Sequence, residues 1–205
     1  MEEPFMKKMI LCTILIFSFA LLAGCTRKKI KLSSEEVKVN TIVLKEDGTV
    51  QAATVEEFNK DYYSVEELNN FITREINEFN QSVGTENAIT MDSLEKQDNN
   101  VVLILTYQNL DTYAAFNKVE AVSMGTKALQ SKDIELPDVF VKEDNGAYVT
   151  QDVALKNEAY QVVMINENID FMVEGTIKYY ANCILVDSHM VQTAADGTSF
   201  IVYKP

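Results

Sequence analysis

Few side chains in this sequence have the type and spacing for covalent or metal chemistry. His189 is the sole histidine, so no multi-histidine zinc site can form. Cys183 stands six residues before it, which matches no zinc-ligand spacing. Ser188 and Ser199 are formal nucleophile partners for His189. Neither sits in the strand–elbow–helix setting that exposes a catalytic serine. His189 is therefore read as a residue near a strand start. Cys183 lies in the strand-like run Asn182-Cys183-Ile184-Leu185-Val186 and is expected as a buried, inert thiol rather than a nucleophile. The seven glycines form neither a GxGxxG loop nor a P-loop.

Carboxylates are the abundant reactive group, and acid/base pairs among them are defined only in space. Glu143-Asp144-Asn145-Gly146, and Asp92 with Glu95, offer oxygen ligands of the kind Ca²⁺ takes, but neither has the alternating acidic spacing of an EF-hand loop. The first is read as a turn and the second as surface solvation. Tyr62-Tyr63 and Tyr179-Tyr180 are adjacent aromatic pairs. In a strand one member of each pair faces the core and the other faces out. An outward Tyr180 would offer an interaction surface, since tyrosine is favoured at interfaces.

These residues must be carried by elements, and the patterning predicts mostly strands. Residues 37–44 and 50–54 are rich in β-branched side chains and flank Asp47-Gly48, whose types suit a tight hairpin turn. Ser64-Val65-Glu66-Glu67 is a capping box, and Val65, Leu68, Phe71, Ile72, Ile76, Phe79 and Val83 then recur at helical steps up to Gly84. Glu66, Arg74, Glu78 and Asn80 supply that helix's polar side. Residues 88–107 read as a strand pair around Lys96–Asn100, with 101–107 apolar on both faces like a central strand. A short helix is expected at 111–117, then a loop through Met124-Gly125-Thr126 and a helical turn near 127–131.

After Pro137 strands dominate, at 139–141, 147–149, 159–165, 169–173, 176–180, 184–186, 190–193 and 199–203. Ile169, Phe171 and Val173 alternate with polar or softer neighbours, as a half-buried strand does. The expected class is α+β: antiparallel β-sheet or sheets with one main amphipathic helix, about residues 64–83, packed on a face, and a strand-dense C-terminal half.

The N-terminus carries the most specific pattern. Lys7 and Lys8 precede Met9–Leu22, fourteen uncharged residues. A bilayer-spanning helix needs roughly 17–25, whereas a positive start, a short apolar run and a small-residue exit make a secretory signal. Met6-Lys7-Lys8 reads as an alternative translation start to Met1. The run closes on Leu22-Ala23-Gly24-Cys25, which resembles the lipobox of bacterial lipoproteins. That resemblance implies cleavage before Cys25, with Leu22, Ala23 and Gly24 recognised by the signal peptidase. It also implies a thioether-linked diacylglycerol on Cys25.

Two long acyl chains anchor a protein stably where one myristoyl chain binds only marginally. Arg27, Lys28, Lys29 and Lys31 follow as a basic tether, each adding on the order of 1 kcal/mol beside an anionic surface. The expected organisation is a signal peptide at 1–24, a lipidated basic and polar tether at 25–36, and one α+β extracytoplasmic domain at 37–205. The expected location is the outer face of the cytoplasmic membrane.

From Leu32 onward the chain holds 12 basic and 29 acidic residues. Such a body opposes nucleic-acid binding, which needs phosphate-neutralising cations. Loss of Cys12 with the signal peptide and lipidation of Cys25 would leave Cys183 without an intrachain partner. The body resembles the small extracytoplasmic lipoproteins of Gram-positive bacteria.

The functional expectation is a non-enzymatic interaction or ligand-binding module at the cell envelope, with an envelope protein or wall-derived ligand as partner. No cofactor beyond the Cys25 diacylglycerol is expected. The alternative is a carboxylate-based hydrolase acting on cell-wall material. The binding component of an importer is disfavoured, because two lobes need a longer chain. Substituting Cys25→Ala should move the protein out of the carbonate-washed membrane fraction; retention there would refute lipid anchoring at this residue.

Overall fold

Many strands in this chain are apolar on both sides, and the fold buries both. The computed structural model describes residues 29–205 apart from Ser131 and Asp133. Along the chain come β1 (Thr41–Leu44), β2 (Val50–Glu57), α1 (Val65–Ser82), β3 (Ile89–Gln97), β4 (Asn100–Tyr107), α2 (Leu110–Asn117) and β5 (Glu120–Gly125). Then follow α3 (Thr126–Gln130), β6 (Val139–Lys142), β7 (Tyr148–Thr150), α4 (Gln151–Ala154) and β8 (Gln161–Asn166). The chain closes with β9 (Asp170–Val173), β10 (Thr176–Ala181), β11 (Cys183–Asp187), β12 (Met190–Thr193) and β13 (Ser199–Lys204).

The strands form two sheets. One has seven strands in the order β11-β12-β9-β1-β2-β4-β3; the other has six, β5-β8-β13-β10-β6-β7. Pairing is antiparallel except between β1 and β9, which run parallel. The fold is thus α+β, with one prominent helix and a strand-rich C-terminal half.

Alternation along the strands sorts side chains into three apolar layers. Ile42 and Leu44 of β1, Phe171 and Val173 of β9, and Leu105 and Tyr107 of β4 meet Val163, Ile165, Ile177 and Ile201 of the other sheet in a central core. The intervening residues face outward. Val162, Met164, Phe200 and Val202 pack with Leu129, Phe140, Ala154 and Leu155 behind the six-stranded sheet. Val43, Ala53, Val102 and Ile104 pack behind the seven-stranded sheet with Leu32 and Val37.

Helix α1 forms where the periodicity predicts it. The Ser64 side chain accepts from the Glu67 N–H, and Gly84, at φ 69°, lies just beyond the C-terminus. Leu68, Ile72, Ile76 and Phe79 join the central core. Three residues depart from expectation, the first being Val83, which caps the helix C-terminus and is 49% exposed. Phe71 is 51% exposed, because it sits one helical step off that stripe and takes the Arg74 guanidinium over its ring instead. Asn80, expected on the polar side, is buried: its amide donates to the Glu86 and Ile89 carbonyls and accepts the Ile89 N–H, docking the helix end onto β3.

The loop expected through Met124-Gly125-Thr126 is instead the end of strand β5, the edge partner of β8, running directly into α3. Its half-buried residues carry little apolar alternation, so pairing with β8 rather than its own pattern makes it a strand. The one-turn helix α4 was not expected either, and it brings Ala154 and Leu155 into the outer layer.

The chain passes between the sheets at several connections, and at one of them Asn182 links β10 of one sheet to β11 of the other. It adopts φ 51°, a left-handed conformation asparagine tolerates better than most residues. Its amide donates to the Asp196 and Thr198 carbonyls, and the Ser199 hydroxyl donates to its carbonyl at 2.6 Å. At Gly175, between β9 and β10, a side chain would collide with the Lys204 carbonyl, so only glycine fits the close approach.

Phe171, fully buried in the central layer, should be the costlier deletion. Phe171→Ala is expected to lose about 3–5 kcal/mol of unfolding free energy. Ile184→Ala, at a 65% exposed position, should stay within about 0.5 kcal/mol in the same denaturant titration.

Candidate functional site

The segment after the lipobox-like Leu22-Ala23-Gly24-Cys25 packs on the body from Ile30 onward. Residues 30–36 were expected to complete the tether, but together with Val37 they lie along the outer face of the seven-stranded sheet. The Ile30 N–H donates to Glu174 Oε1 at 2.9 Å, and Glu174 Oε2 accepts the Glu46 N–H at 3.0 Å. Leu32 N–H donates to Gln51 Oε1 at 2.8 Å. The Ser34 hydroxyl donates to Glu95 Oε2 at 2.6 Å.

Gln51 is itself buried, and its amide nitrogen reaches Asp92 Oδ2 at 2.6 Å; that oxygen also accepts the Thr106 hydroxyl. Leu32 and Val37 meanwhile cover Val43, Val102 and Ile104. The physical reason is plain: an apolar outer sheet face needs a lid, and this segment supplies it. Asp92 and Glu95, read from sequence as surface solvation, hold this lid through hydrogen bonds.

Of the residues singled out for membrane attachment, Leu22, Ala23, Gly24, Cys25, Arg27 and Lys28 lie outside the described residues. Lys29 and Lys31 are exposed. No described helix is long and apolar enough to cross a membrane.

Tyr180 does not point into open solvent. It is half-buried against the central core, while Tyr179 packs on the opposite face in the outer layer. Both faces of the six-stranded sheet are covered, so neither tyrosine of the pair is fully outward. Burial, with smaller contributions from Cys183 and Tyr148, raises the Tyr180 hydroxyl above its ordinary value. The exposed aromatic of this sheet is Tyr148 on the edge strand β7, at 79% exposure.

The remaining chemical candidates are held in structural roles. His189 precedes β12 and clasps the β9–β10 turn, with Nδ1 2.5 Å from the Gly175 carbonyl oxygen. The Ser199 hydroxyl is fully buried and spent on the Asn182 corner. Burial pushes the Cys183 thiol up to about 12, so it stays protonated and unreactive at neutral pH. Among the described residues no group of three or more His, Cys, Asp or Glu side chains is arranged to hold a metal ion. Glu143–Gly146 forms the β6–β7 turn, with Gly146 at φ 67° and Asn145 Oδ1 accepting the Ala147 N–H.

A depression of about 460 Å³ opens near the Ile30 attachment, lined by Glu46, Asp47, Asp111, Gln161 and Tyr203 among others. The Thr49 hydroxyl and then its amide hold Asp47 below the usual carboxylate range. That direction keeps Asp47 ionised and is opposite to the one a general acid needs.

One buried polar network was not legible in sequence. The Tyr113 hydroxyl of α2 donates to Glu167 Oε2 at 2.8 Å, and Asn117 donates to the Tyr107 hydroxyl at 3.2 Å. The Thr193 hydroxyl ties the same loop by donating to the Glu167 backbone carbonyl and accepting the Ile169 N–H. Burial raises the Glu167 carboxyl, and the Tyr113 hydrogen bond offsets only part of that. The Tyr107 hydroxyl is pushed up to about 12, and Tyr113 rises above its ordinary value, both mainly by burial. The network fastens α2 to the β8–β9 loop.

Comparison with protein-family models, with curated protein sequences and with solved structures yields no match for this chain.

A raised carboxyl stabilises the fold most below its ordinary pKa, and that contribution is lost as pH rises through the folded value. Glu167→Gln should therefore raise the thermal midpoint at pH 7.5, where the native carboxylate is desolvated. The difference from wild type should shrink by pH 4, as followed by circular dichroism melts.

Proposed function

We propose that this protein is a membrane-anchored extracytoplasmic lipoprotein whose acidic body is a non-enzymatic interaction module at the cell envelope. The observation that carries the reading is Leu22-Ala23-Gly24-Cys25 standing in register at the end of a fourteen-residue apolar run, with a basic cluster directly after it.

The seat of the N-terminal segment supports a definite arrangement. Four residues separate Cys25 from Ile30, whose amide is bonded to Glu174. A fully extended chain spans at most about 3.6 Å per residue, so Ile30 stays within roughly 18 Å of a lipidated Cys25. The body then stands directly on the membrane rather than on a long stalk. The pole holding Glu174, Glu46 and the β1–β2 turn faces the lipid. Lys29 and Lys31 are exposed beside the anchor, where cations are favoured against anionic headgroups.

The body beyond this basic collar is strongly acidic, which suits projection away from an anionic surface. The structural engagement of His189, Ser199 and Cys183, and the lowered Asp47, favour binding over hydrolysis.

Two measurements on material from cells test this reading. Mass spectrometry of the membrane-extracted protein should find an N-terminal peptide beginning at Cys25 and carrying diacylglycerol. In-cell crosslinking followed by co-purification should capture an envelope component with the anchored form and not with Cys25→Ala. An unmodified Cys25 within an intact signal segment would overturn the anchor. Equal capture by both forms would overturn the dependence of the interaction on the membrane.

A further inference from the structure

Strand β2 starts at Val50, beside the Glu174–Glu46 knot that holds Ile30, and runs eight residues to Glu57. At about 3.4 Å per residue it carries the chain roughly 24 Å to the opposite pole. There the chain turns through Phe58–Tyr63 into α1. Phe58 is buried and its N–H donates to the Asn99 carbonyl in the β3–β4 turn. Tyr63 packs on it with ring centroids 4.9 Å apart, and Tyr62 stands edge-on to Tyr63 at 5.0 Å. The Tyr63 N–H donates to the Lys60 carbonyl, and Ser64 caps the helix immediately after.

The outer two rings of this cluster are open: Tyr62 is 76% exposed and Tyr63 42%. Tyrosines present large contact area for two side-chain torsions, the profile of an interface anchor. The surrounding charge selects the partner. Glu56, Glu57, Asp61, Glu66, Glu67 and Asp98 are all exposed on the strand end, turns and first helical turn around the rings. Lys60 and Lys96 are the opposing cations in the same stretches. Lys96 Nζ already lies 5.6 Å from the Phe58 ring centroid, so the inner ring holds a cation while the outer rings stay open.

Resting on the proposed role as an anchored interaction module, we infer that this pole is the docking surface and that its partner is an arginine-bearing basic peptide segment of an envelope protein. Guanidinium groups stack on the Tyr62 and Tyr63 faces, and the surrounding carboxylates pair with them. The placement beyond the far end of β2 from the Ile30 attachment leaves the rings clear of the lipid.

The test titrates an N-acetylated hexa-arginine peptide into the full chain purified from membranes in neutral detergent, at 150 mM salt, by calorimetry. Wild type should bind saturably at one site. The Tyr62→Ser/Tyr63→Ser double variant keeps the net charge and should bind at least tenfold more weakly while keeping the wild-type circular dichroism spectrum at the titration temperature. Tyr62→Phe/Tyr63→Phe should retain binding. Equal binding by the serine variant would reduce the effect to bulk charge and overturn the site, as would absence of saturable binding to wild type. Binding of chitotriose in place of the peptide, lost in the same serine variant, would reassign the rings to a glycan. The Cys25→Ala form should bind the peptide as wild type does. Its membrane fractionation reports separately on the anchor, so failure of one reading is distinguishable from failure of the other.

Discussion

The rest of the structure depends on one constraint: the central strands are apolar on both faces, so each sheet must be covered twice. Val43 and Ile42 are neighbours in β1, yet one joins the outer layer and the other the central core. The same holds for Val162 and Val163 in β8 and for Ile201 and Val202 in β13. Burying all of these needs three apolar layers from a chain whose described residues include only one long helix. The two sheets cover each other in the middle. Short helices and loops cover one outer face, and residues 30–37 are drawn onto the other.

That use of residues 30–37 links folding to the proposed anchoring. A segment that would otherwise be a polar leash contributes Leu32 and Val37 to an apolar layer, pairs its backbone with Gln51 and Glu174, and donates the Ser34 hydroxyl to Glu95. Hydrophobic coverage and backbone satisfaction act at the same residues, since a buried N–H without a partner would cost as much as the covering side chain contributes. The distance between any lipid on Cys25 and the body is then set by the four residues before Ile30. The orientation of the body follows from where Glu174 sits.

Polar groups inside this fold act as fasteners. Asn80 docks the end of α1 to β3, Glu167 and Thr193 fasten the β8–β9 loop, and Ser199 with Asn182 holds the β10–β11 corner, one of those where the chain changes sheet. Among the described residues every buried side-chain nitrogen and oxygen has a hydrogen-bond partner. A satisfied polar group gives direction to packing that apolar contact alone leaves loose. The Glu167 carboxylate is the member of this set whose burial acts against its charged form.

By itself the sequence determined the features that depend on neighbours along the chain. The Ser64 cap and the Leu68–Ile72–Ile76–Phe79 stripe of α1, the Asp47-Gly48 turn, the two-faced β4 and the alternation of β9 are all local patterns, and they appear where the residues place them. The signal-like run ending at Cys25 is local in the same sense. Tertiary structure alone decided what depends on distant partners. It made β5 a strand by giving it β8, put β1 parallel to β9, buried Asn80, and turned Tyr180 toward the core. It also brought Phe58 against the β3–β4 turn to seat the tyrosine cluster. Periodicity shows that a face is apolar, but which surface covers it is fixed only when the whole chain competes to bury what it has.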